Sequence, residues 1–377
     1  MRLIQFCITL FMIVAYSTAQ TDSTAATDSL LIRELEQQMQ PAVPQDAAPI
    51  RTAPTTNPDL SAIGDFRSSY SDAGPRNLET YFNALEVQLS SVVDPYAEAK
   101  FLFSFGKDSL NGEYSAGLEV ATLTSLSLPS SIQVMLGRFK THFTKVNQLH
   151  PHAFSFVDFP ILIRNYFGEE GLFMEGISAS VLVPNPWDVY QEFVVEVGRS
   201  GSTPSLDYGT GNRLLTTAQL STFFDLSENS TLGVGLSGLS GVNALDRTTI
   251  MAGCDLTYKW KPVQYNTYHS FTWQTEAMLC RTDTSAGSTL QSYGAYSLFE
   301  YQIEKRTFIG ARFDYSGLPM VEKSDERSIS LLLRFQPTEF QILALEFQHA
   351  NRNFGPGYNQ LVFRAIFGIG THAAHAY

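Results

Sequence analysis

The sequence has few charged residues, few cysteines and no cluster of basic side chains. Charged residues make up 16% of the 377, and 37 acidic residues outnumber 25 basic ones. Without a basic patch, the chain lacks the electrostatic footprint of a nucleic-acid-binding protein. A mean hydropathy of -0.06 is too low for a protein built from many membrane-spanning helices. It does not exclude a membrane barrel, because only alternate residues of each strand face lipid there.

Signatures of catalysis and of disulfide cross-linking are also missing. No Ser, His and Asp ordering and no carboxylate pair fits a catalytic role, so we predict no enzyme activity and no cofactor. Of the three cysteines, only Cys254 and Cys280 follow the N-terminal segment. The two lie on faces of opposite parity, so a disulfide between their strands would require a bulge.

The N-terminus has the pattern of an export signal. Arg2 precedes an apolar run over residues 3–16, and small residues lie just before Gln20. We therefore predict a signal peptide at 1–19 and a periplasmic leader at 20–57. The leader combines a short helix with a linker rich in Pro, Ala and Thr. A short oligomerisation coil is the alternative interpretation of that helix.

From residue 58 onward, apolar and polar residues alternate with a period of two. For example, Phe101, Phe103 and Phe105 are separated by Leu102 and Ser104. Alternation of this kind indicates strands, and runs of about ten residues suit a tilted strand that crosses a bilayer. We place about sixteen strands, at 59-70, 81-93, 98-106, 112-124, 130-140, 174-183, 189-199, 214-226, 230-240, 247-260, 267-281, 289-303, 306-316, 327-336, 340-349 and 359-369.

The connections between these strands alternate between short and long. Short turns such as 227–229 follow every second strand, and longer polar segments such as 200–213 lie between them. Short turns on one side and long loops on the other are typical of bacterial outer-membrane barrels, whose short turns face the periplasm. The sequence therefore predicts an all-β fold over 58–377, a transmembrane, antiparallel, up-and-down β-barrel. The aromatic C-terminal residue, Tyr377, agrees with this prediction.

Charged residues within the strands occur mostly on the face opposite the apolar residues. This segregation is expected because a basic side chain facing lipid costs about 2–4 kcal/mol at the bilayer midplane. We predict that these side chains line a polar lumen, and their excess of acids predicts a modest preference for cations. They are Glu86, Lys100, Glu119, Arg138, Glu192, Glu196, Glu276, Arg312, Arg334, Glu346 and Arg364, with Glu175 and Glu300.

The segment 141–173 is the longest connection, and it is unusually aromatic for a solvated loop. A loop that folds into the pore would bury its aromatic side chains and present its polar groups to solutes. We predict that it constricts or caps the pore; packing against a neighbouring protomer is the alternative. Its polar candidates are His150, His152, Asp158, Arg164, Glu169 and Glu170.

Metal binding is not predicted for this chain. His150 and His152 could supply imidazole ligands of the kind that zinc accepts, as could His372 and His375. Two histidines separated by one residue do not define a tetrahedral site, and no partner ligands can be identified from the sequence. Hydrogen-bonded loop histidines are the simpler interpretation.

Three stretches of the chain resemble a little-characterised family of barrels labelled TonB-dependent or zinc-regulated outer-membrane receptors. They are 57–66 (NPDLSAIGDF), 149–171 (beginning LHPHAF and ending FGEEG) and 372–377 (HAAHAY). The signal, leader and two-faced strands also resemble Gram-negative porin-like barrels more broadly. The first resemblance implies an energised receptor, but such receptors have about 22 strands and a separate plug. The segment before the first predicted strand is too short for that plug.

The sequence therefore favours an outer-membrane channel for passive diffusion of small hydrophilic solutes in a Gram-negative bacterium. Its partners would be outer-membrane lipid and those solutes, with a homo-oligomer left open and nucleic acid excluded. The alternative is a TonB-linked receptor for zinc or another metal complex. An outer-membrane enzyme and a structural barrel without an open pore are further possibilities.

Overall fold

A computed structural model describes residues 58–73, 77–107, 112–207, 213–265, 268–284 and 287–370. The predicted signal peptide (1–19), the leader (20–57) and Tyr377 lie outside these residues, as do His372 and His375. Predictions about those segments therefore stay predictions.

The described residues form sixteen strands. They are β1 (Asp59–Ser71), β2 (Leu78–Asp94), β3 (Ala97–Lys107), β4 (Tyr114–Ser125), β5 (Ile132–Lys140), β6 (Phe173–Leu182), β7 (Tyr190–Arg199), β8 (Leu215–Ser227), β9 (Ser230–Val242), β10 (Thr248–Trp260), β11 (Ser270–Asp283), β12 (Thr289–Glu304), β13 (Thr307–Gly317), β14 (Asp325–Thr338), β15 (Gln341–Arg352) and β16 (Tyr358–Gly370). The prediction of about sixteen strands is confirmed, and the predicted bounds differ from these by only a few residues.

The strands form one closed antiparallel barrel. Each strand pairs with its neighbours along the chain, and β1 also pairs with β16, with Ser61 opposite Gly370 and Ser71 opposite Gln360. Closure leaves no strand edge without hydrogen-bond partners, which is the condition for a sheet to cross a membrane. The alternation of short and long connections is also present, with two residues between β8 and β9 and a far longer segment between β5 and β6.

The two faces of the strands differ as the alternating sequence predicts. On β14, Ile329 and Leu331 point outward and are 38% and 52% exposed, whereas Ser328 and Ser330 point inward and are buried. An apolar outer surface and a polar inner one are the expected division for a barrel surrounded by lipid.

One bulge breaks this alternation on β4. Leu102 pairs with Val120 and Phe103 pairs with Leu118, so Glu119 is an extra residue without a partner in the ladder. The bulge reverses the parity of the rest of the strand, as bulges do by inserting one residue. Val120 is therefore buried inside the barrel although Leu118, two residues earlier, is 42% exposed on the outer surface, whereas strict alternation predicts the same face for both.

The one α-helix of the described residues is α1 (Ile161–Phe167), in the connection between β5 and β6. Three short 3-10 turns accompany it, at Pro129–Ser131, Val146–Gln148 and Val263–Tyr265. Among the described residues, no helix combines the length and the apolar character that a membrane span requires.

A lipid-facing charge tests the position of the barrel in the membrane. Leu331 lies in the middle of β14 and points outward, so Leu331→Arg should lower the free energy of unfolding by about 2–4 kcal/mol. Ile369 also points outward but lies at the end of β16, where Arg should cost about 0–1 kcal/mol. Urea unfolding in lipid vesicles measures both values, and equal costs at the two positions would contradict the proposed span.

Candidate functional site

The connection between β5 and β6, residues 141–172, lies inside the barrel. Its apolar side chains pack against inward-facing side chains of the strands, and together they form the hydrophobic core. The helix α1 contacts β12, β13 and β14. The large hydrophobic side chains of this loop that are less than 6% exposed are Phe143, Val146, Phe154, Phe156, Val157, Phe159, Ile161, Leu162, Ile163, Tyr166, Phe167 and Leu172.

Carboxylates of the barrel wall hold the backbone of this loop. A loop with little regular structure cannot pair all of its own amide groups, and buried amides without partners are costly. The wall carboxylates accept these hydrogen bonds. The pairs are His142 N to Glu196 Oε2 (3.0 Å), Val146 N to Glu276 Oε1 (2.8 Å), Val157 N to Glu346 Oε2 (2.6 Å) and Ile161 N to Asp314 Oδ1 (3.2 Å).

Arginines of the wall bind the same loop through its carbonyl groups. Arg312 Nη1 donates to the carbonyl oxygen of Asp158 at 2.7 Å, and Arg364 Nη2 donates to that of Pro151 at 3.0 Å. Both guanidinium groups are balanced by neighbouring carboxylates, at 2.8 Å from Asp314 for Arg312 and at 3.0 Å from Asp65 for Arg364. Because these charges are paired and hydrogen-bonded, they can remain buried.

Asp158 is the charged side chain through which the loop contacts β1. Its carboxylate lies 2.9 Å from Arg67 Nη1. Burial alone would raise the pKa of Asp158, but Arg67, Arg164 and other arginines hold the pKa below its usual value of 3.8. The carboxylate is therefore ionised at neutral pH, and its charge contributes to holding the loop.

His150 and His152 lie against two glutamates of the wall, Glu119 and Glu86. His150 Nδ1 is 3.2 Å from Glu119 Oε2, and His152 Nδ1 is 3.0 Å from Glu86 Oε2. The two imidazole rings are nearly parallel, with centroids 5.8 Å apart. Burial lowers the pKa of His150, although the neighbouring carboxylates oppose that change.

A cavity of about 770 Å³ lies between the loop and the wall formed by β1, β2, β3 and β16. Seven acidic and four basic side chains line this cavity, so its charge is negative. The acids are Asp65, Glu79, Glu86, Glu119, Asp158, Glu169 and Glu170, and the bases are Arg67, Lys107, Lys140 and Arg164.

The remaining predicted lumenal residues fall into two groups. Glu196, Glu276, Arg312, Glu346 and Arg364 point inward but are almost fully buried by the loop. By contrast, Lys100, Glu192 and Arg334 share the inward parity of their strands and are only partly buried. Arg334 pairs with Glu300 at 2.7 Å, and Glu192 accepts a hydrogen bond from the Tyr190 hydroxyl at 3.0 Å.

Arg138 differs from its predicted position. It shares the parity of Ile132 and Leu136, which are 41% and 45% exposed on the outer surface, and it pairs with Glu175 at 2.9 Å. Apolar residues occur on both faces of β5, so the alternation does not identify which face points into the barrel. Arg138 and Glu175 lie at the ends of β5 and β6 that residues 141–172 connect. Their ion pair allows both charges to lie on the outer surface.

Sequence reasoning missed Asp65 and Arg67 of β1, which are central to the loop's contacts. Asp65 accepts hydrogen bonds from both Arg67 and Arg364, at 3.0 Å to each of their Nη2 atoms. The sequence does contain the pattern that identifies the other lumenal charges. Asp65 and Arg67 alternate with Gly64 and Phe66, as those charges alternate with apolar residues.

The chain has a distant relative among proteins of known sequence. No family model matches it. A protein of Aquifex aeolicus (strain VF5) described only as uncharacterised is 26% identical over 338 residues, which covers 78% of this chain and 69% of that protein.

Solved structures with the same architecture are outer-membrane porins and channels. The channel DcaP of Acinetobacter baumannii has a TM-score of 0.59 at 11% identity, over 84% of this chain and 98% of that one. An anion-selective porin from Comamonas acidovorans has a TM-score of 0.58 at 9% identity, over 83% and 99%. OmpT of Vibrio cholerae, in its trimer form, has a TM-score of 0.54 at 9% identity, over 83% and 100%.

The fold is that of the porins. At these identities the likeness extends to the sixteen-strand barrel and not to a particular solute. It gives no support to the TonB-dependent label that the sequence resemblance suggested.

The low pKa of Asp158 predicts that acid loosens the loop. Because this pKa is lower in the folded chain than in the unfolded one, the carboxylate stabilises the folded state above about pH 4, and this contribution is lost as the pH falls through the folded pKa. Protease cleavage within residues 141–172 should therefore rise below about pH 4. Asp158→Asn should raise cleavage at neutral pH and weaken this acid-dependent step.

The exposed residue Asp188, in the turn between β6 and β7, offers a matched control. Asp188→Asn should leave the pH profile of cleavage unchanged. An identical profile for wild type and Asp158→Asn would contradict the assigned role of Asp158.

Proposed function

We propose that this protein is an outer-membrane, porin-like channel through which small hydrophilic solutes diffuse without an energy source. The observation that carries this proposal is a closed barrel whose charged, water-accessible cavity remains beside an inserted loop. Diffusion through such a space needs only a polar lining and a limiting width. The similarity in fold to known porins and channels supports the same interpretation.

The outer surface suits a lipid environment. Large apolar side chains such as Leu236, Ile250, Leu279 and Phe313 point outward and are at least 50% exposed. We propose that outer-membrane lipid of a Gram-negative bacterium covers this surface, which the predicted export signal at 1–19 would allow the chain to reach. The barrel would then be the domain at 58–377 and residues 20–57 a periplasmic leader.

The inserted loop, residues 141–172, would set the width of the channel. It fills the side of the lumen next to β11 to β15 and leaves the cavity next to β1, β2 and β3. Its burial within its own barrel argues against the alternative in which its aromatic side chains pack on a neighbouring protomer. We therefore propose that it constricts the pore.

A modest preference for cations is proposed from the charges that face the cavity. Carboxylates outnumber basic groups there, and Glu169 and Glu170 are exposed side chains of the loop. A negative lining raises the local concentration of cations and lowers that of anions. The similar porin of Comamonas acidovorans is anion-selective, but its 9% identity does not extend to the residues that line this cavity.

We propose that the chain assembles as a homo-oligomer. The Vibrio cholerae protein with the same fold has been described in a trimer form. An oligomer would cover part of the exposed apolar outer surface, and chemical cross-linking in membranes tests this directly. No feature of the described residues favours a catalytic role, so we propose none.

Replacing residues 141–172 by a short Gly and Ser linker should enlarge the pore. The single-channel conductance in a planar bilayer should rise severalfold, because the loop fills much of the lumen. Wild-type protein should conduct without any energy-coupling partner. Absence of conductance from both proteins would contradict the channel and favour a structural barrel.

Neutralising acids beside the cavity should reduce the cation preference. The triple variant Glu79→Gln, Glu169→Gln and Glu170→Gln should shift the reversal potential in a salt gradient toward the value of a non-selective pore. Glu322→Gln is the control, because Glu322 is exposed in the connection between β13 and β14 and does not line the cavity. Strong anion selectivity of the wild type would overturn the proposed preference.

A further inference from the structure

Two histidines of the inserted loop face two glutamates of the barrel wall at a single point. The shortest separations are 3.0 Å for His152 Nδ1 to Glu86 Oε2, 3.2 Å for His150 Nδ1 to Glu119 Oε2 and 3.9 Å for His150 Nδ1 to Glu86 Oε2. Glu86, Glu119 and His150 can each offer one ligand atom, and these three atoms all lie within 4.8 Å of one another. We propose that Glu86, Glu119, His150 and His152 bind a divalent transition-metal ion such as Zn²⁺.

Three pairs among these four side chains have separations close to those of zinc ligands. Zinc binds imidazole nitrogen and carboxylate oxygen at about 2.0–2.2 Å, usually with tetrahedral geometry. Two ligand atoms at tetrahedral angles are therefore about 3.3–3.6 Å apart. The three shortest separations, 3.0 to 3.9 Å, lie around this range, and rotation of the side chains would bring the remaining ligand atoms to the same spacing.

Two polar atoms at this point, one of Glu86 and one of His150, also lack well-aligned hydrogen-bond partners. Glu86 is only 6% exposed, and its Oε2 atom makes no hydrogen bond of acceptable geometry. The same is true of His150 Nδ1. Native structures rarely leave buried polar atoms in this condition, and the binding of an ion is one of the recognised reasons for it. A metal ion at the common point would bind both atoms.

Charge and donor type favour a transition metal over magnesium or calcium. The glutamates carry two negative charges, and the neighbouring Lys140, which donates to the carbonyl oxygen of Glu170, carries one positive charge. The two carboxylate charges equal the charge of a dication if both imidazoles are neutral, and the site then keeps the single positive charge of Lys140. Mixed imidazole and carboxylate donors suit zinc and similar ions, whereas magnesium and calcium prefer oxygen alone.

An ion could reach this site from water. Glu86 and Glu119 line the 770 Å³ cavity, and so does Pro151, which lies between the two histidines. The ligands belong to β2, β4 and the loop, whereas the wall carboxylates that hold the loop backbone belong to β7, β11, β13 and β15. The ion would thus link the loop to the opposite wall. This binding does not depend on whether the barrel conducts.

The test measures metal binding to the complete barrel in detergent after removal of bound metal by a chelator. His372 and His375 are both replaced by Ala in every protein, so that these C-terminal histidines cannot contribute. Calorimetric titration with ZnCl₂ should give one saturable site per barrel. Because losing an outer-shell partner already costs about 10–100-fold in affinity, each of His150→Ala, Glu86→Gln and Glu119→Gln should weaken binding by more than about 100-fold.

Two controls distinguish this site from general binding to histidines and acids. His349→Asn and Glu192→Gln remove a histidine and a lumenal acid elsewhere and should leave the affinity unchanged. Migration on gels before and after heating establishes that each variant folds. A wild-type barrel without saturable binding would overturn the proposal, as would equal affinity in the site variants.

Cobalt provides a measurement that needs no variant of the four ligands. Co²⁺ bound by two imidazoles and two carboxylates in a tetrahedral site should give intense visible absorption, and Zn²⁺ should abolish it by competition. Weak bands typical of six oxygen ligands would instead indicate binding to exposed carboxylates and would overturn the proposal.

Discussion

The interior of this barrel depends on one constraint: backbone polar groups enclosed in a lumen must find partners there. Residues 141–172 contain only a seven-residue helix and one 3-10 turn, so most of their amides cannot pair within the segment. Acceptors come from wall carboxylates such as Glu276 and Glu346, and donors come from Arg312 and Arg364. The apolar side chains favour burial, but the polar side chains of the wall determine where the loop lies.

This constraint separates the lumenal charges into two functional groups. Glu276 and Glu346 are buried and hydrogen-bonded to the loop, so a solute in the proposed channel would not contact them. Glu169 and Glu170 are exposed beside the cavity and can act on solutes directly. The net charge of -12 for the whole chain is therefore a poor measure of selectivity. Only the charges that remain in contact with water should affect ions in the channel.

The sequence predicts the strands well and the contacts of the loop poorly, for physical reasons. Alternation is a local property, so β1 to β16 could be placed from composition within each run. The bulge at Glu119 has no comparable signal, and the mixed faces of β5 obscured the orientation of Arg138. Val157 and Glu346 are 189 positions apart, so their hydrogen bond could not be predicted from this sequence alone. Glu86 and Glu119 lie on separate strands outside the loop, so the sequence does not identify them as partners of the loop histidines either.

Arg364 has a consequence for the order in which this protein folds. Its guanidinium joins Asp65 of β1, 299 positions earlier, to the carbonyl of Pro151 in the loop, 213 positions earlier. Contacts between such distant positions slow folding, because long segments of chain must be ordered before they form. The loop therefore cannot complete its contacts until β16 is in place, so closure of the barrel and docking of the loop are coupled. Until then the aromatic residues of the loop remain exposed, and the unclosed chain is prone to aggregate.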